Sequence, residues 1–285
     1  MTRDTARLLI TCPDAKGIIA LVAGFIAEHG GNILEADQHT DPQHGEFYMR
    51  VEIDLKGFAL DQGNFQQAWG EVARQNDMRW RVYWGNHIKR MAILVTKESH
   101  CLNDLLWRWR TGELRVEVPF VAGNHADLQA DVANFGIPFH HLPVTPETKS
   151  QQETRLGELI ETHDVDFVVL ARYMQVLSPS FVARYPERLI NIHHSFLPAF
   201  AGPRPYHQAY ERGVKIIGAT SHYVTDELDE GPIIAQNTLS VDHRDAIDDL
   251  IRKGRDLERV VLATAVRLHV EDKILMSTNK TIVFD

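Results

Sequence analysis

Two short segments of the chain are apolar at nearly every position, and they restrict the possible folds most. Residues 91–96 read MAILVT and residues 167–170 read FVVL. A strand of this composition is buried on both faces, as in a parallel sheet covered by helices. Segments with helical spacing alternate with further short apolar runs as far as residue 239. This pattern predicts an α/β fold with a doubly wound, mostly parallel sheet.

One of the predicted helices has a recognisable start signal. Ser150 and Glu153 form an S-x-x-E pattern directly around the start of the apolar periodicity of residues 151–162. In a capping box of this kind, the serine and glutamate side chains satisfy backbone N–H groups of the first turn. The pattern therefore predicts that Glu153 serves the local helix end.

Residues 7–84 follow a different pattern. Apolar residues recur at helical spacing between residues 18 and 28, and they alternate with polar residues between residues 47 and 53. Read in order, this segment predicts strand, helix, two strands, helix and strand, which is the ferredoxin-like arrangement. We therefore expect two domains, residues 1–86 and residues 87–285.

Composition excludes several classes of function. The formal net charge of −9 argues against a nucleic-acid partner, because such proteins present a basic face. No segment approaches the ~20 apolar residues that a membrane-spanning helix needs, so no membrane partner is expected. The two cysteines, Cys12 and Cys101, lie far apart, which favours free thiols and a cytoplasmic location.

The 15 histidines raise the question of a bound metal. The chain contains neither an HExxH nor a CxxC motif. The adjacent pairs at residues 140–141 and 193–194 point to opposite faces of a strand, so neither pair is a natural two-ligand site. We therefore predict that no metal is bound.

The candidate site lies in residues 189–200, LINIHHSFLPAF. Asn191 and His193 are two positions apart near the end of a predicted strand, so their side chains point to the same side. In doubly wound sheets, ligands bind beyond the carboxyl ends of the strands. Taken alone, Asn191 fits a turn cap and His193 a satisfied core histidine better than a catalytic pair, so a catalytic interpretation needs a partner carboxylate.

The loop after the first strand of the larger domain contains no glycine. It reads TKESHC over residues 96–101. A phosphate cradle usually needs glycine so that backbone N–H groups can close on the anion. This loop therefore argues against a dinucleotide and against a phosphorylated substrate at this position.

Three motifs resemble the formyltransferase family that uses 10-formyltetrahydrofolate. They are LARYMQVLSP at residues 170–179, NIHHSFLP at 191–198 and HYVTDELDEGP at 222–232, within a match that spans roughly residues 89 to 283. The resemblance implies that Asn191, His193 and Asp229 are catalytic. It also implies a folate site formed by two segments, which contain Met174, Gln175, Val176, Leu177, Thr225, Asp226, Glu227 and Leu228.

The sequence departs from the transferase pattern at two positions inside the second motif. His194 stands where the transferases typically have proline, and Phe196 where they have leucine. Neither position is catalytic in the family, so we expect these residues to reshape the acceptor side and leave the chemistry intact.

The N-terminal segment resembles an ACT domain. The resemblance rests on CPDAKG at residues 12–17 and on GGNI at residues 30–33. In that family, these loops form a small-molecule pocket where two domains pair. This implies a homo-oligomer and an amino-acid effector; a dimerisation module without a ligand is the alternative. An ACT domain ahead of a formyltransferase-like domain further resembles the family of formyltetrahydrofolate deformylases.

That resemblance implies hydrolysis of 10-formyltetrahydrofolate, with folate as the substrate and no cofactor. Asn191 and His193 would donate hydrogen bonds to the oxyanion, Asp229 would take a proton from water, and His222 would tune the pKa of Asp229. Formyl transfer to an amine and a non-catalytic folate or amino-acid sensor are the alternatives. The glycine-free loop and the negative net charge argue against transfer to a phosphorylated or nucleic-acid amine. The Asn–His–Asp set argues against a non-catalytic sensor.

Overall fold

The computed structural model describes residues 4–199 and 204–285, so Phe200 of the candidate segment lies outside the described residues. The chain divides into two compact units. The N-terminal unit comprises Met1–Ile88 and Glu271–Asp285, and the larger unit comprises Lys89–Val270. Within the described residues, no helix is both long enough and apolar enough to cross a membrane.

The N-terminal unit contains the ferredoxin-like arrangement that the sequence pattern predicts. Its antiparallel sheet has the strand order β2-β3-β1-β4. One face of β1 packs against both helices through apolar residues such as Leu8 and Ile10. The elements are β1 (Thr5–Pro13), α1 (Ile18–Glu28), β2 (Asn32–Asp41), β3 (Glu46–Asp54), α2 (Gln62–Gln75) and β4 (Arg79–Trp84).

The end of the chain belongs to this unit, which differs from the predicted boundary of 87–285. Leu9 and Tyr48 form a second apolar cluster with Leu275. Leu9 follows Leu8 on β1, so it lies on the opposite face of the sheet, and this face also needs cover. Arg50 donates from Nε to the Asp272 carbonyl at 3.2 Å, which fixes the start of the covering hairpin. Its strands are Ile274–Ser277 and Lys280–Val283.

The larger unit is a seven-stranded sheet with helices, as the alternating pattern predicts. Its strand order is β11-β10-β9-β8-β5-β6-β7. The five strands from β5 to β9 are parallel, and β10 and β11 are antiparallel to their neighbours. The strands are β5 (Met91–Val95), β6 (Val121–Gly123), β7 (Phe139–His141), β8 (Phe167–Leu170), β9 (Leu189–His193), β10 (Ile216–Tyr223) and β11 (Ile233–Ser240).

Helices surround the central strands of this sheet, so β5 and β8 are buried at every position. The long helix α8 contributes apolar residues at helical spacing, including Leu257, Val261 and Leu268, to the buried interior. The helices are α3 (His100–Arg110), α4 (Gln129–Ala133), α5 (Lys149–Thr162), α6 (Pro179–Val182), α7 (Pro205–Arg212) and α8 (Ile247–Val270).

The register of β8, β9 and β10 brings the predicted motifs together. Asn191 on β9 lies opposite Leu170, where β8 ends, and opposite His222 on β10. After β10 the chain turns back, and the Tyr223 amide donates to the Pro232 carbonyl at 2.9 Å. A Cβ atom on Gly231 would lie 1.7 Å from the Tyr223 carbonyl oxygen. Only glycine therefore permits this turn, which returns the segment carrying the predicted carboxylate to the ends of β8 and β9.

Candidate active site

A cavity of about 430 Å³ lies at the carboxyl ends of β8 and β9. Every site residue singled out in the sequence lines it: Met174, Gln175, Val176, Leu177, Asn191, His193, His222, Thr225, Asp226, Glu227, Leu228 and Asp229. The cavity is also lined by residues that the motifs did not single out as site residues, among them Arg172, His194 and Arg204.

A carboxylate between two imidazoles forms the centre of this cavity. The His193 Nδ1 atom lies 3.2 Å from Asp229 Oδ2, and His222 Nε2 lies 3.7 Å from Asp229 Oδ1. His193 and His222 are both buried, whereas the Asp229 side chain keeps 18% of its exposure. Because a carboxylate only accepts hydrogen bonds, the proton of this contact belongs to His193 Nδ1.

The second imidazole has its proton position fixed by the backbone. His222 Nδ1 lies 2.9 Å from the Tyr223 carbonyl oxygen, so this nitrogen is the donor. In the neutral ring Nε2 is then an acceptor, and Asn191 donates to it from Nδ2 at 3.2 Å. The Asn191 amide is thereby oriented, and Nδ2 retains a second N–H for another acceptor.

The surroundings keep Asp229 ionised. Burial by itself raises the pKa of Asp229, but the hydrogen bond and charge of His193, together with those of His222 when its ring is protonated, outweigh burial and hold that pKa well below its usual range. His193 Nε2 is buried and has no hydrogen-bond partner in residues 4–199 and 204–285. This ring nitrogen is therefore available to a substrate atom.

The predicted folate segment forms a loop after β8. Met174 and Val176 are more than half exposed, as is Leu228 across the cavity, so apolar surface lines its mouth. The loop is anchored at both ends. Met174 N donates to Thr96 Oγ1 at 2.9 Å, and Ser178 N donates to Glu153 Oε1 at 2.8 Å.

The second anchor corrects the capping-box prediction. Helix α5 begins at Lys149, and no side chain caps its start. The buried Glu153 carboxylate instead accepts hydrogen bonds from the backbone N and the Oγ of Ser178. Glu153 therefore makes a tertiary contact in place of the helix cap, and the local sequence pattern does not reveal such a contact.

A buried polar cluster joins Arg172 of the cavity to residues that lie outside the three motifs. Glu258 on α8 is 1% exposed. Its carboxylate lies 2.7 Å from His100 Nε2 and accepts a hydrogen bond from Tyr206 at 2.6 Å. Arg172 Nε lies 3.4 Å from the same carboxylate. A Cβ atom on Gly254 would lie 2.1 Å from the Tyr206 hydroxyl, so glycine makes room for this contact.

Part of this cluster also has the residue types of a metal site. The ligand atoms of His100, Cys101 and Glu258 lie within 4.8 Å of one another. Glu258 already interacts with three side chains, and the Arg172 charge opposes a second cation. Burial raises the pKa of the Cys101 thiol well above its usual value, which disfavours the thiolate that binds metals. The contacts therefore describe a hydrogen-bonded ion cluster.

His194 lies between the reacting side chains and this cluster. Its ring centroid is 5.2 Å from that of His193 and 6.1 Å from that of Tyr206. Burial, followed by the charge of Arg172, lowers the pKa of His194 to about 4. At neutral pH this histidine is uncharged.

Comparisons with known proteins agree with the fold. The formyl transferase family model matches residues 89–266, and the ACT domain model matches residues 6–56. The chain is 54% identical over 284 residues to formyltetrahydrofolate deformylase of Synechocystis sp., covering 100% of both chains. It superimposes on the crystal structure of a formyltetrahydrofolate deformylase from Pseudomonas syringae with a TM-score of 0.97, at 47% identity, covering 99% of this chain and 95% of that chain.

A glycinamide ribonucleotide transformylase from Symbiobacterium toebii matches less of the chain. It has a TM-score of 0.67 at 30% identity and covers 71% of this chain and 97% of that one. The fold and the site therefore define a formyl transferase domain that is preceded by an ACT domain. Since the full-length likeness is to the deformylases, the chain belongs to the formyltetrahydrofolate deformylase family, which confirms the resemblance inferred from the motifs.

We predict that the His194 ring titrates near pH 4, far below the ordinary value of about 6.5. Because its folded pKa lies below its unfolded pKa, the stability that the neutral ring contributes is complete above pH ~6.5 and is lost as pH falls through ~4. NMR titration of the ring proton, assigned with His194→Gln, measures the midpoint. Urea unfolding should show that the free energy of unfolding falls more between pH 7 and pH 5 for the unaltered protein than for the variant. Equal decreases would contradict the prediction.

Proposed function

We propose that the protein hydrolyses 10-formyltetrahydrofolate to tetrahydrofolate and formate, with water as the formyl acceptor. The observation that carries this proposal is the juxtaposition of Asn191, His193 and Asp229 in one cavity with an apolar mouth. Full-length likeness to proteins named formyltetrahydrofolate deformylase, including that of Escherichia coli at 45% identity, supports water as the acceptor.

The reaction is an acyl transfer to water. The water oxygen bonds to the formyl carbon, the carbonyl oxygen becomes an oxyanion, and the carbon–nitrogen bond then breaks. The departing nitrogen takes one proton, and formate leaves as an anion while the second proton goes to solvent. The site must therefore stabilise a developing oxyanion and transfer protons.

Two donors suit the oxyanion in this scheme. His193 in its protonated form donates from Nε2, and the adjacent Asp229 carboxylate stabilises the imidazolium. Asn191 donates its second Nδ2–H, since its first is held by His222. A single oxyanion donor typically contributes ~10²–10³-fold to the rate.

Asp229 has two tasks in the proposed mechanism. Its depressed pKa keeps it ionised, so it is always in the form that accepts a proton from the attacking water. The same low pKa makes it a weak base, so we assign its larger contribution to orienting and stabilising His193. The proximity of His222 supports a role for this residue in setting the pKa of Asp229.

The apolar mouth of the cavity suits a flat pterin ring. Met174, Val176 and Leu177 would contact its face, while backbone groups of Gln175 and Leu177 and of residues 225–228 would bind its polar edge. Exposed apolar side chains at a cavity mouth are the usual sign of a ligand surface.

The N-terminal unit is proposed to bind a small effector, an amino acid, and to pair with a second copy. The ACT match over residues 6–56 supports the effector. Strand β2 lies at the edge of its sheet, where the backbone can pair with another chain. Free amino acids added to a formate-release assay test the effector. The two free, buried cysteines support a cytoplasmic location.

The proposed reaction is tested by incubating the protein with 10-formyltetrahydrofolate and no other acceptor. We expect equal amounts of formate and tetrahydrofolate, measured by formate dehydrogenase coupling and by absorbance. Turnover only after an amine is added would identify a formyltransferase. Saturable folate binding without turnover would identify a sensor, and either result would overturn the proposal.

Asp229→Asn should lower kcat by ~10²–10⁴-fold, because the His193 imidazolium loses its charge partner and water loses its proton acceptor. Tetrahydrofolate affinity, measured by fluorescence titration, should stay within about threefold, since the apolar wall is unchanged. Glu230→Gln in the same loop is the matched control, because this exposed side chain does not line the cavity. A near-normal kcat for Asp229→Asn would show that the carboxylate has another role.

Val176→Trp should weaken tetrahydrofolate binding by at least about tenfold, because the larger side chain fills the mouth of the cavity where the pterin is proposed to lie. Ile216→Trp, at an equally exposed apolar position outside the cavity, is the control. Fluorescence titration of both variants gives the comparison. Unchanged affinity in Val176→Trp would remove this segment from the folate site.

A further inference from the structure

Arg172 is a charged residue of the cavity that the proposed mechanism leaves without a task. It follows β8 and lines the cavity together with Asn191 and His193. Its guanidinium is largely buried, and within residues 4–199 and 204–285 neither Nε nor Nη1 has a hydrogen-bond partner. Buried N–H groups of a cation are costly to leave unpaired, so the arrangement indicates a missing acceptor.

The backbone of Arg172 gives a second, independent indication that this residue serves a ligand site. Its φ angle is 60°, in the left-handed region that is unfavourable for residues with a Cβ atom. Strained residues of this kind concentrate at ligand sites, where a particular side chain is needed in a particular place. Arg172 is both strained in this way and one of the residues that line the cavity.

Glu258 holds this guanidinium without satisfying it. The separation of 3.4 Å between Arg172 Nε and the carboxylate is long for a charge-assisted hydrogen bond. The carboxylate oxygens are instead engaged at shorter distances by His100 and Tyr206. The Arg172 charge is thus partly balanced, and its Nη1 has no acceptor among residues 4–199 and 204–285.

We infer that Arg172 binds the small carboxylate that the reaction produces, so that formate is held by the guanidinium fork as it forms. This inference rests on the proposed function. Before attack the formyl carbon carries one oxygen, and after the carbon–nitrogen bond breaks it carries two equivalent oxygens and a negative charge. A guanidinium matches such a planar carboxylate with two parallel N–H donors. Neither water nor the amine product presents a pair of carboxylate oxygens to these donors.

The test is a titration with [13C]formate, followed by NMR, of the full-length protein and three variants. Arg172→Met removes the charge at similar volume, and Arg172→Lys keeps the charge but lacks the fork. Arg252→Met removes a surface arginine whose side chain is 66% exposed and serves as the matched control. We expect saturable binding to the unaltered protein, with Kd raised at least about tenfold in Arg172→Met and less in Arg172→Lys.

Two results would overturn the inference: no saturable formate binding to the unaltered protein, or an equal Kd in the unaltered protein and both Arg172 variants. Thermal unfolding identifies a variant that fails to fold, and Arg172→Lys then carries the comparison. The titration needs no turnover, so it separates the two proposals. Formate release with Arg172-independent formate binding contradicts only this inference, whereas Arg172-dependent binding without formate release contradicts only the proposed reaction.

Discussion

The site depends on an ionised carboxylate held between two histidines. A half-buried Asp229 would ordinarily be easier to protonate, but its contacts with His193 and His222 reverse that tendency. The consequences spread outward from this carboxylate. It fixes the proton on His193 Nδ1, which leaves Nε2 toward the substrate, and its neighbour His222 fixes the amide of Asn191. Removing the carboxylate charge therefore removes the partner of His193, whereas the Asn191 amide keeps its contact with His222.

A second carboxylate, Glu258, differs from Asp229 because it has no side open to the cavity. Glu258 is fully enclosed, and His100, Tyr206 and Arg172 surround it, so its pKa too stays low although burial acts to raise it. Asp229 has one side open to the cavity and takes part in chemistry. Glu258 has no open side, and its part is to hold a guanidinium. The uncharged His194 lies between the two groups, so it places no further positive charge beside His193 and Arg172.

The sequence was sufficient for the parts of the site that follow from strand geometry. Asn191 and His193 are two apart on one strand, and the motif that contains His222 and Asp229 follows on the neighbouring strand, so pattern and order predicted their proximity. The fold class and the ferredoxin-like order were predictable for the same reason, since periodicity reflects burial.

What the sequence did not predict depends on contacts between distant segments. Arg172, Tyr206 and Glu258 come from a loop and two helices, and no local spacing relates them. Glu153 matched a capping pattern but binds Ser178, because a buried loop amide competed with the helix end. The packing of the C-terminal hairpin on the N-terminal sheet was not predicted, because its apolar residues are few and the sheet face that they cover is defined only after the strands pair.

Backbone strain recurs among the charged residues of the cavity. Three charged residues of the cavity, Arg172, Arg204 and Asp229, have φ angles between 57° and 60°. Glycine would relieve each position, and Gly231 shows that the fold uses glycine where a close approach demands it. Glycine would also remove the charge. Aspartate tolerates this conformation better than most residues, whereas arginine gains nothing from it locally. For Arg172, the proposed binding of an anion would offset this cost, since the side chain that the position carries is the one that matches a carboxylate.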